Sequence, residues 1–229
     1  MLFRSRMRLL STKILSQDFF ERILIHQFSL VEQAFIKISF LENPKINGIF
    51  DRLIFTSQNA VNAVLSSPEI LKMIEGKITY CVGKKTAALL GNNGQKVAKI
   101  TQNSLELAHF FAKNYQNESF SYFCGKLRTP DLEEILPAHG MHIQPIEVYA
   151  THLQDHIVKG YFYGILFFSP SGVRAYAQSN GFENSHSFCL GNSTAREVAL
   201  YTSHYTIAKE PSESQLLLSL KNHITLHEE

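Results

Sequence analysis

Hydrophobic and polar positions along this chain alternate between two periods, and Leu53 to Leu90 shows the switch most clearly. Leu53, Ile54 and Phe55 form a short apolar run of strand type. Thr56 to Asn59 are polar, and Val61, Val64 and Leu65 then fall on one helical face. The pattern repeats at once: Tyr80 to Val82 read as a strand and Gly83 as a turn, and Thr86 opens a helix carrying Ala87, Leu89 and Leu90. The whole stretch occurs a second time, as ILFFSPSGVRAY from Ile165 and FCLGNSTAREVA from Phe188. Val61 matches Val173 at an offset of 112, and Gly83 and Thr86 match Gly191 and Thr194 at 108. Two such copies predict two similar domains. Each copy puts hydroxyls and free backbone N–H groups where a strand hands over to a helix, which is the ligand-binding end of an open α/β sheet.

The rest of the chain follows the same grammar. Leu9 to Leu15 reads as a strand turning at Thr12-Lys13, and Ser16 precedes an amphipathic helix with Phe19, Phe20, Ile23 and Leu24. Leu30 to Phe40 is β-rich. Ser67 and Pro68 mark a helix start and Gly76 its end. Gly91 to Gln95 read as a turn before a strand over Val97–Ile100, and Asn103 with Glu106 as a capping box. From Ser121 the pattern predicts a strand, a turn at Gly125, and a helix capped by Thr129 with Pro130 first, closed by His139-Gly140. Ile143 to His152 and Tyr205 to Ala208 read as strands, and Ser212 with Gln215 starts a last helix. Roughly nine or ten strands in repeated β–α units predict parallel sheets with helices on both faces. The strand-like stretches Ile36–Phe40 and Val148–His152 are the natural crossings into and out of an inserted middle domain.

Composition narrows the function. A net charge of +2, with no Lys/Arg cluster after the first eight residues, argues against nucleic acid as partner. The longest apolar run, Tyr161 to Phe168, is too short to span a bilayer. Arg4, Arg6 and Arg8 form a basic lead without the apolar core of a signal peptide, and translation could equally start at Met7. Three cysteines, Cys81, Cys124 and Cys189, with no export signal predict reduced thiols in the cytoplasm, buried at strand ends.

No nucleotide, zinc or serine-hydrolase motif occurs. His139 with His142, and His152 with His156, lack a converging third ligand, so no metal site is expected. The hydroxyl-rich turns carry more: Thr56-Ser57, Thr86, Ser169-Pro170-Ser171-Gly172 and Ser193-Thr194 all follow strands. N-capping alone would explain any one of them. Together they would hold a polycarboxylate by backbone N–H groups and hydroxyls, without an Arg cluster. Tyr149, at the second crossing, is either a sheet-edge tyrosine or a phenolic proton donor, protonated at neutral pH.

These residues, in this order, resemble the uroporphyrinogen-III synthase family over nearly the whole chain. The carriers are LIFTSQNAV, VGKKTA, CGKLRTPDLEEIL followed by VYAT, FFSPSGV and LGNSTA. The resemblance implies two doubly wound, flavodoxin-like α/β domains joined by a two-stranded ladder, with the active site in the cleft between them. Residues 1–36 plus 153–229 would form one domain and 37–152 the other. The implied substrate is hydroxymethylbilane, a linear tetrapyrrole. Loss of its hydroxyl as water, attack of the terminal ring at its substituted carbon and passage through a spiro intermediate would close the macrocycle with that ring inverted. No cofactor or metal is implied, and the enzyme is expected to be a cytoplasmic monomer. Thr56, Ser57, Thr86, Gly125, Lys126, Ser169, Ser171, Gly172 and Thr194 would hold the carboxylates, and Tyr149 would assist departure of the hydroxyl. Lys13 stands where many relatives carry Arg. The competing reading is a non-catalytic two-lobed protein that binds a small polyanion.

Overall fold

The computed structural model describes residues 7–227. Arg4 and Arg6 of the basic lead lie outside the described residues, and Arg8 opens the first strand. In chain order the elements are β1 (Arg8–Ser11), α1 (Gln17–Ile25), β2 (Ser29–Glu32), β3 (Ile36–Phe40), β4 (Arg52–Phe55), α2 (Gln58–Leu65), α3 (Pro68–Ile74), β5 (Ile78–Val82), α4 (Lys84–Asn92), β6 (Lys96–Thr101), α5 (Ser104–Asn114), β7 (Ser119–Gly125), α6 (Asp131–Ala138), β8 (His142–Leu153), β9 (Gly164–Phe167), α7 (Pro170–Ala177), β10 (His186–Cys189), α8 (Asn192–Val198), β11 (Tyr205–Ile207) and α9 (Glu213–His227). The chain divides into two compact units. The first holds the described residues of Met1–Lys37 and His152–Glu229, and the second is Ile38–Thr151. The boundary falls inside β3 and again inside β8, which are hydrogen-bonded neighbours.

The first unit is a five-stranded sheet in the order β11-β10-β9-β1-β2, parallel at every pairing. Strand alternation sends Leu9, Leu166 and Phe188 to one face, where Phe19 and Ile23 of α1 and Leu216, Leu217 and Leu220 of α9 cover them. Leu10, Ile165, Phe167 and Cys189 go to the other face, under Val173 and Tyr176 of α7 and Ala195 and Val198 of α8. A strand buried on both faces must be apolar at consecutive positions, which is why these runs do not alternate in sequence. Each buried Leu or Phe contributes ~1.5–3 kcal/mol.

The second unit repeats this plan with six strands, β3-β8-β7-β4-β5-β6. Leu53, Phe55, Cys81, Phe123 and Ile146 face α2, α3 and α4, while Ile54, Tyr80, Phe120, Tyr122 and Cys124 face α5 and α6. Both units are doubly wound.

Several local expectations change. Among the described residues there are eleven strands, because Leu30 to Phe40 divides between β2 and β3, in different sheets. Thr86 is the third residue of α4, not its opening, because Gly83 holds a φ of 85° that suits glycine and the helix starts directly after it. Gly91 and Asn92 extend α4, so the turn comes later, at Gly94 with φ 79°. Thr129 does not cap α6. The helix follows Pro130 with no side-chain cap, and the Thr129 hydroxyl bonds Ser104 Oγ at 3.1 Å, whose hydroxyl also donates to Asp131. Asn103 caps α5 as expected, accepting from Glu106 N at 2.8 Å, but the Glu106 carboxylate accepts from Gln102 N at 2.9 Å, one residue earlier than a capping box requires.

Candidate active site

In the second unit, three turns leave the C-terminal ends of adjacent strands. Thr56-Ser57 follows β4, Gly83 to Thr86 follows β5, and Gly125-Lys126 lies at the end of β7. Chain order reverses direction between β4 and β7, which makes that gap the switch point where such sheets take ligands. Thr56 Oγ1 bonds the Tyr122 hydroxyl at 2.9 Å, and Ser57 caps α2 by accepting from Asn59 N at 3.0 Å. Gly83, which has no side chain, offers α4 no side-chain cap. Thr86 is 4% exposed, and its hydroxyl takes no partner from the protein among the described residues. Lys126 is exposed beside Gly125.

Tyr149 reaches this rim through a break in the strand register. Along β7 and β8, Phe123 pairs with Ile146 and Cys124 with Glu147, and Gly125 then pairs with Tyr149, so Val148 is an extra residue. A single extra residue reverses the facing of everything after it. Regular alternation would put Tyr149 on the α5–α6 face with Glu147. The bulge puts it with Phe55, Val61 and Phe123 on the α2 face. There it is 8% exposed. Burial raises the phenol pKa, and hydrogen bonding with Ser57 pulls the other way, so the group is protonated at neutral pH. Gly125 makes room for the ring: a Cβ at that position would lie 2.5 Å from Tyr149 Cζ and 3.0 Å from its hydroxyl. The Gly125 requirement is therefore packing against a phenol, which periodicity alone does not reveal.

One arrangement beside this rim was not anticipated. Arg128 donates to Glu133 Oε2 and Oε1 at 2.7 and 2.9 Å, to Glu147 Oε1 at 2.9 Å and to the Gly125 carbonyl at 3.0 Å. The hydrogen bond to Glu133 is the main cause that raises its pKa, and it stays charged. The only signal in the sequence is an Arg three residues past a strand-end glycine, with acidic partners five and nineteen residues on.

The first unit presents the matching end of its own sheet. Thr12-Lys13 follows β1, Ser169 to Gly172 follows β9 and Gly191 to Thr194 follows β10. Ser169 caps α7 by accepting from Gly172 N at 3.1 Å, and its hydroxyl lies 3.1 Å from Ser171 Oγ. Thr12 Oγ1 donates to the Leu166 carbonyl at 2.8 Å. Lys13 pairs with Glu213 at 3.0 Å and sits over the Phe168 ring at 4.3 Å. Gly191, like Gly83, leaves its helix without a side-chain cap, and Thr194 is 2% exposed with no protein partner for its hydroxyl among the described residues. The two readings of the hydroxyl turns therefore separate by residue. Ser57 and Ser169 are caps, and Thr86 and Thr194 are not. The three thiols are buried and reduced, pushed up by burial to about 11 for Cys81 and about 12 for Cys124 and Cys189. They are poor nucleophiles. His139 is tied to the Ile135 carbonyl at 2.9 Å and His142 packs edge-on against Phe50, so the two do not converge. No helix of the described residues is long and apolar enough to cross a membrane.

Fold and rims together define a protein of two doubly wound α/β units, each presenting uncapped helix starts and hydroxyls at the C-terminal end of its sheet. The sequence model of the family described as uroporphyrinogen-III synthase HemD matches residues 19–217. A crystal structure of uroporphyrinogen-III synthetase from Helicobacter pylori aligns over 97% of this chain and 100% of its own, at 23% identity and a TM-score of 0.68. A mutant uroporphyrinogen III synthase from Thermus thermophilus aligns over 96% and 99%, at 12% identity and a TM-score of 0.69. No curated protein matches by sequence. The chain belongs to the uroporphyrinogen-III synthase family, the cyclising lyases of tetrapyrrole biosynthesis, and its substrate class is a tetrapyrrole.

Proposed function

We propose that the chain converts hydroxymethylbilane to uroporphyrinogen III, with Tyr149 as the proton donor. The observation that carries this reading is the buried, protonated phenol turned onto the ligand rim of the second sheet and seated on Gly125. Tyr149 gives its proton to the substrate hydroxyl, which leaves as water, and the proton released at macrocycle closure restores the phenol. The terminal ring attacks through its substituted carbon, and the spiro intermediate fragments and rejoins with that ring inverted. Unassisted closure gives the uninverted isomer, so the enzyme's contribution is positioning and preorganised electrostatics.

The carboxylates are held by Thr56, Ser57, Thr86, Gly125 and Lys126 on one rim and by Ser169, Ser171, Gly172 and Thr194 on the other. Support comes from the uncapped starts of α4 and α8 and from the unpartnered Thr86 and Thr194 hydroxyls. The domains are read as 1–36 with 153–229, and 37–152. One polypeptide supplies both rims, which suits a monomer. The small net charge suits a cytoplasmic enzyme with no nucleic-acid partner.

The test is incubation of the purified protein with freshly made hydroxymethylbilane, followed by separation of the oxidised type I and type III isomers. Type III in excess of the protein-free control is expected. Type I alone from folded protein would overturn the assignment. Tyr149→Phe should slow turnover by roughly 100-fold or more while the protein stays folded, and unchanged turnover removes Tyr149 from the chemistry.

A further inference from the structure

One side chain bonds both strands of the bulge at Tyr149. Arg128 bonds the Gly125 carbonyl at the end of β7 and the Glu147 carboxylate on β8, the residues on either side of the register slip. Its remaining N–H groups form a bidentate pair with Glu133 in the first turn of α6. The Arg128 side chain is 18% exposed, against 29% for Glu133 and 42% for Glu147. Val148, the extra residue, has its carbonyl engaged on the opposite side of β8, where it accepts from Leu41 N at 2.9 Å. Support of α6 alone would need only Glu133. The geometry instead ties three elements to the point where the strand changes face.

We propose that Arg128 is a positioning residue that pins the β7–β8 bulge and so fixes the Tyr149 phenol on the ligand rim. The inference rests on Tyr149 being the proton donor. A proton donor must be placed to within a fraction of an ångström, and a shift of about 1 Å costs roughly 100-fold in rate. Arg128 meets neither Tyr149 nor the rim hydroxyls in any hydrogen bond of the described residues. It acts through Gly125 and Glu147, whose backbones set the ring's seat.

The test is steady-state kinetics on Arg128→Lys, Tyr149→Phe and the double variant, with hydroxymethylbilane as substrate. Lysine keeps the charge but loses the planar fork. Arg128→Lys should lower kcat by roughly 10-fold and leave KM within about twofold, since the one substrate-holding residue it bonds, Gly125, is met through its carbonyl, which cannot hold a carboxylate. In the Tyr149→Phe background the same change should cost almost nothing, because the misplaced group is already absent. Equal losses in both backgrounds, or a loss confined to KM, would overturn the positioning role. If Tyr149→Phe alone turns over normally, the reading of Tyr149 fails instead, and the two failures are told apart by that single variant. Glu147→Gln, which keeps an acceptor for Arg128 but removes its charge, serves as the second probe if Arg128→Lys does not fold. Its expected loss is smaller, of the same kcat type, and again absent without the phenol.

Discussion

The two units share a spatial plan but not a chain order. Read across each sheet, β11-β10-β9-β1-β2 and β6-β5-β4-β7-β8 are the same arrangement. The chain enters the first through β1-α1-β2 and returns through β9 to β11, whereas it begins the second at β4 and finishes with β7-α6-β8. One unit is a circular permutation of the other, so β1 and β2 correspond to β7 and β8. The corresponding pairs differ in register. β1 and β2 pair residue for residue from Arg8 with Ser29 to Ser11 with Glu32, while β7 and β8 slip by one at Cys124 and Gly125. Both units carry hydroxyl turns and an uncapped, threonine-bearing helix. Only the slipped pair brings a phenol to the rim. Similar scaffolds thus carry similar hydroxyl turns, and the slip between β7 and β8 turns a phenol onto the rim of the second unit.

Gly125→Ala should give the largest contrast. Its methyl would meet the Tyr149 ring at 2.5 Å, so turnover should fall by roughly 100-fold. At Gly172, in the first unit, an added methyl meets Ser169 Oγ at 3.4 Å and Thr12 Oγ1 at 3.6 Å. Those contacts can be relieved by small shifts, and the loss there should stay below about fivefold. Turnover of both variants on hydroxymethylbilane checks this, and equal losses would break the asymmetry.

The threonines sharpen the other half of the comparison. Thr86→Val and Thr194→Val each remove a hydroxyl without a protein partner, so stability should change little. KM should rise by about threefold to tenfold in each, corresponding to one hydrogen bond of ~0.5–1.5 kcal/mol. A rise in only one variant would assign substrate binding to one unit.

The smallest effect should be shared by both units. Burial raises Cys81 and Cys124 in the second and Cys189 and Tyr176 in the first, from 9.0 for the thiols and 10.0 for the phenol, to about 11 or 12. A group raised on folding lends stability that is complete below its unfolded pKa and lost as pH climbs through the folded one. Denaturant unfolding should therefore show stability declining as pH rises above about 9, and a rise in alkali would contradict the burial.

How much of this was legible in the sequence varies by residue. Val61, Val64, Val173 and Tyr176 announced amphipathic helices, and Leu53 to Phe55 and Ile165 to Phe167 announced strands buried on both faces. Capping by Ser57 and Ser169 was legible as the alternative to substrate binding, because it is decided within three residues. Tyr149 and Gly125 were named for the site, but the reason they belong together was not legible, since their contact depends on a register slip between strands. Arg128 went unread because its partners lie on two elements besides its own turn.

Local pattern determined the elements, the repeat, the apolar faces and the hydroxyl-bearing turns, because each is set by period and propensity over a few residues. The tertiary structure alone decided the permuted relation of the two units, the face on which Tyr149 emerges and the pinning of that face by Arg128. Strand pairing is long-range, and one residue extra to the β7–β8 pairing, Val148, reverses every side chain beyond it without leaving a mark in the alternation that a sequence displays.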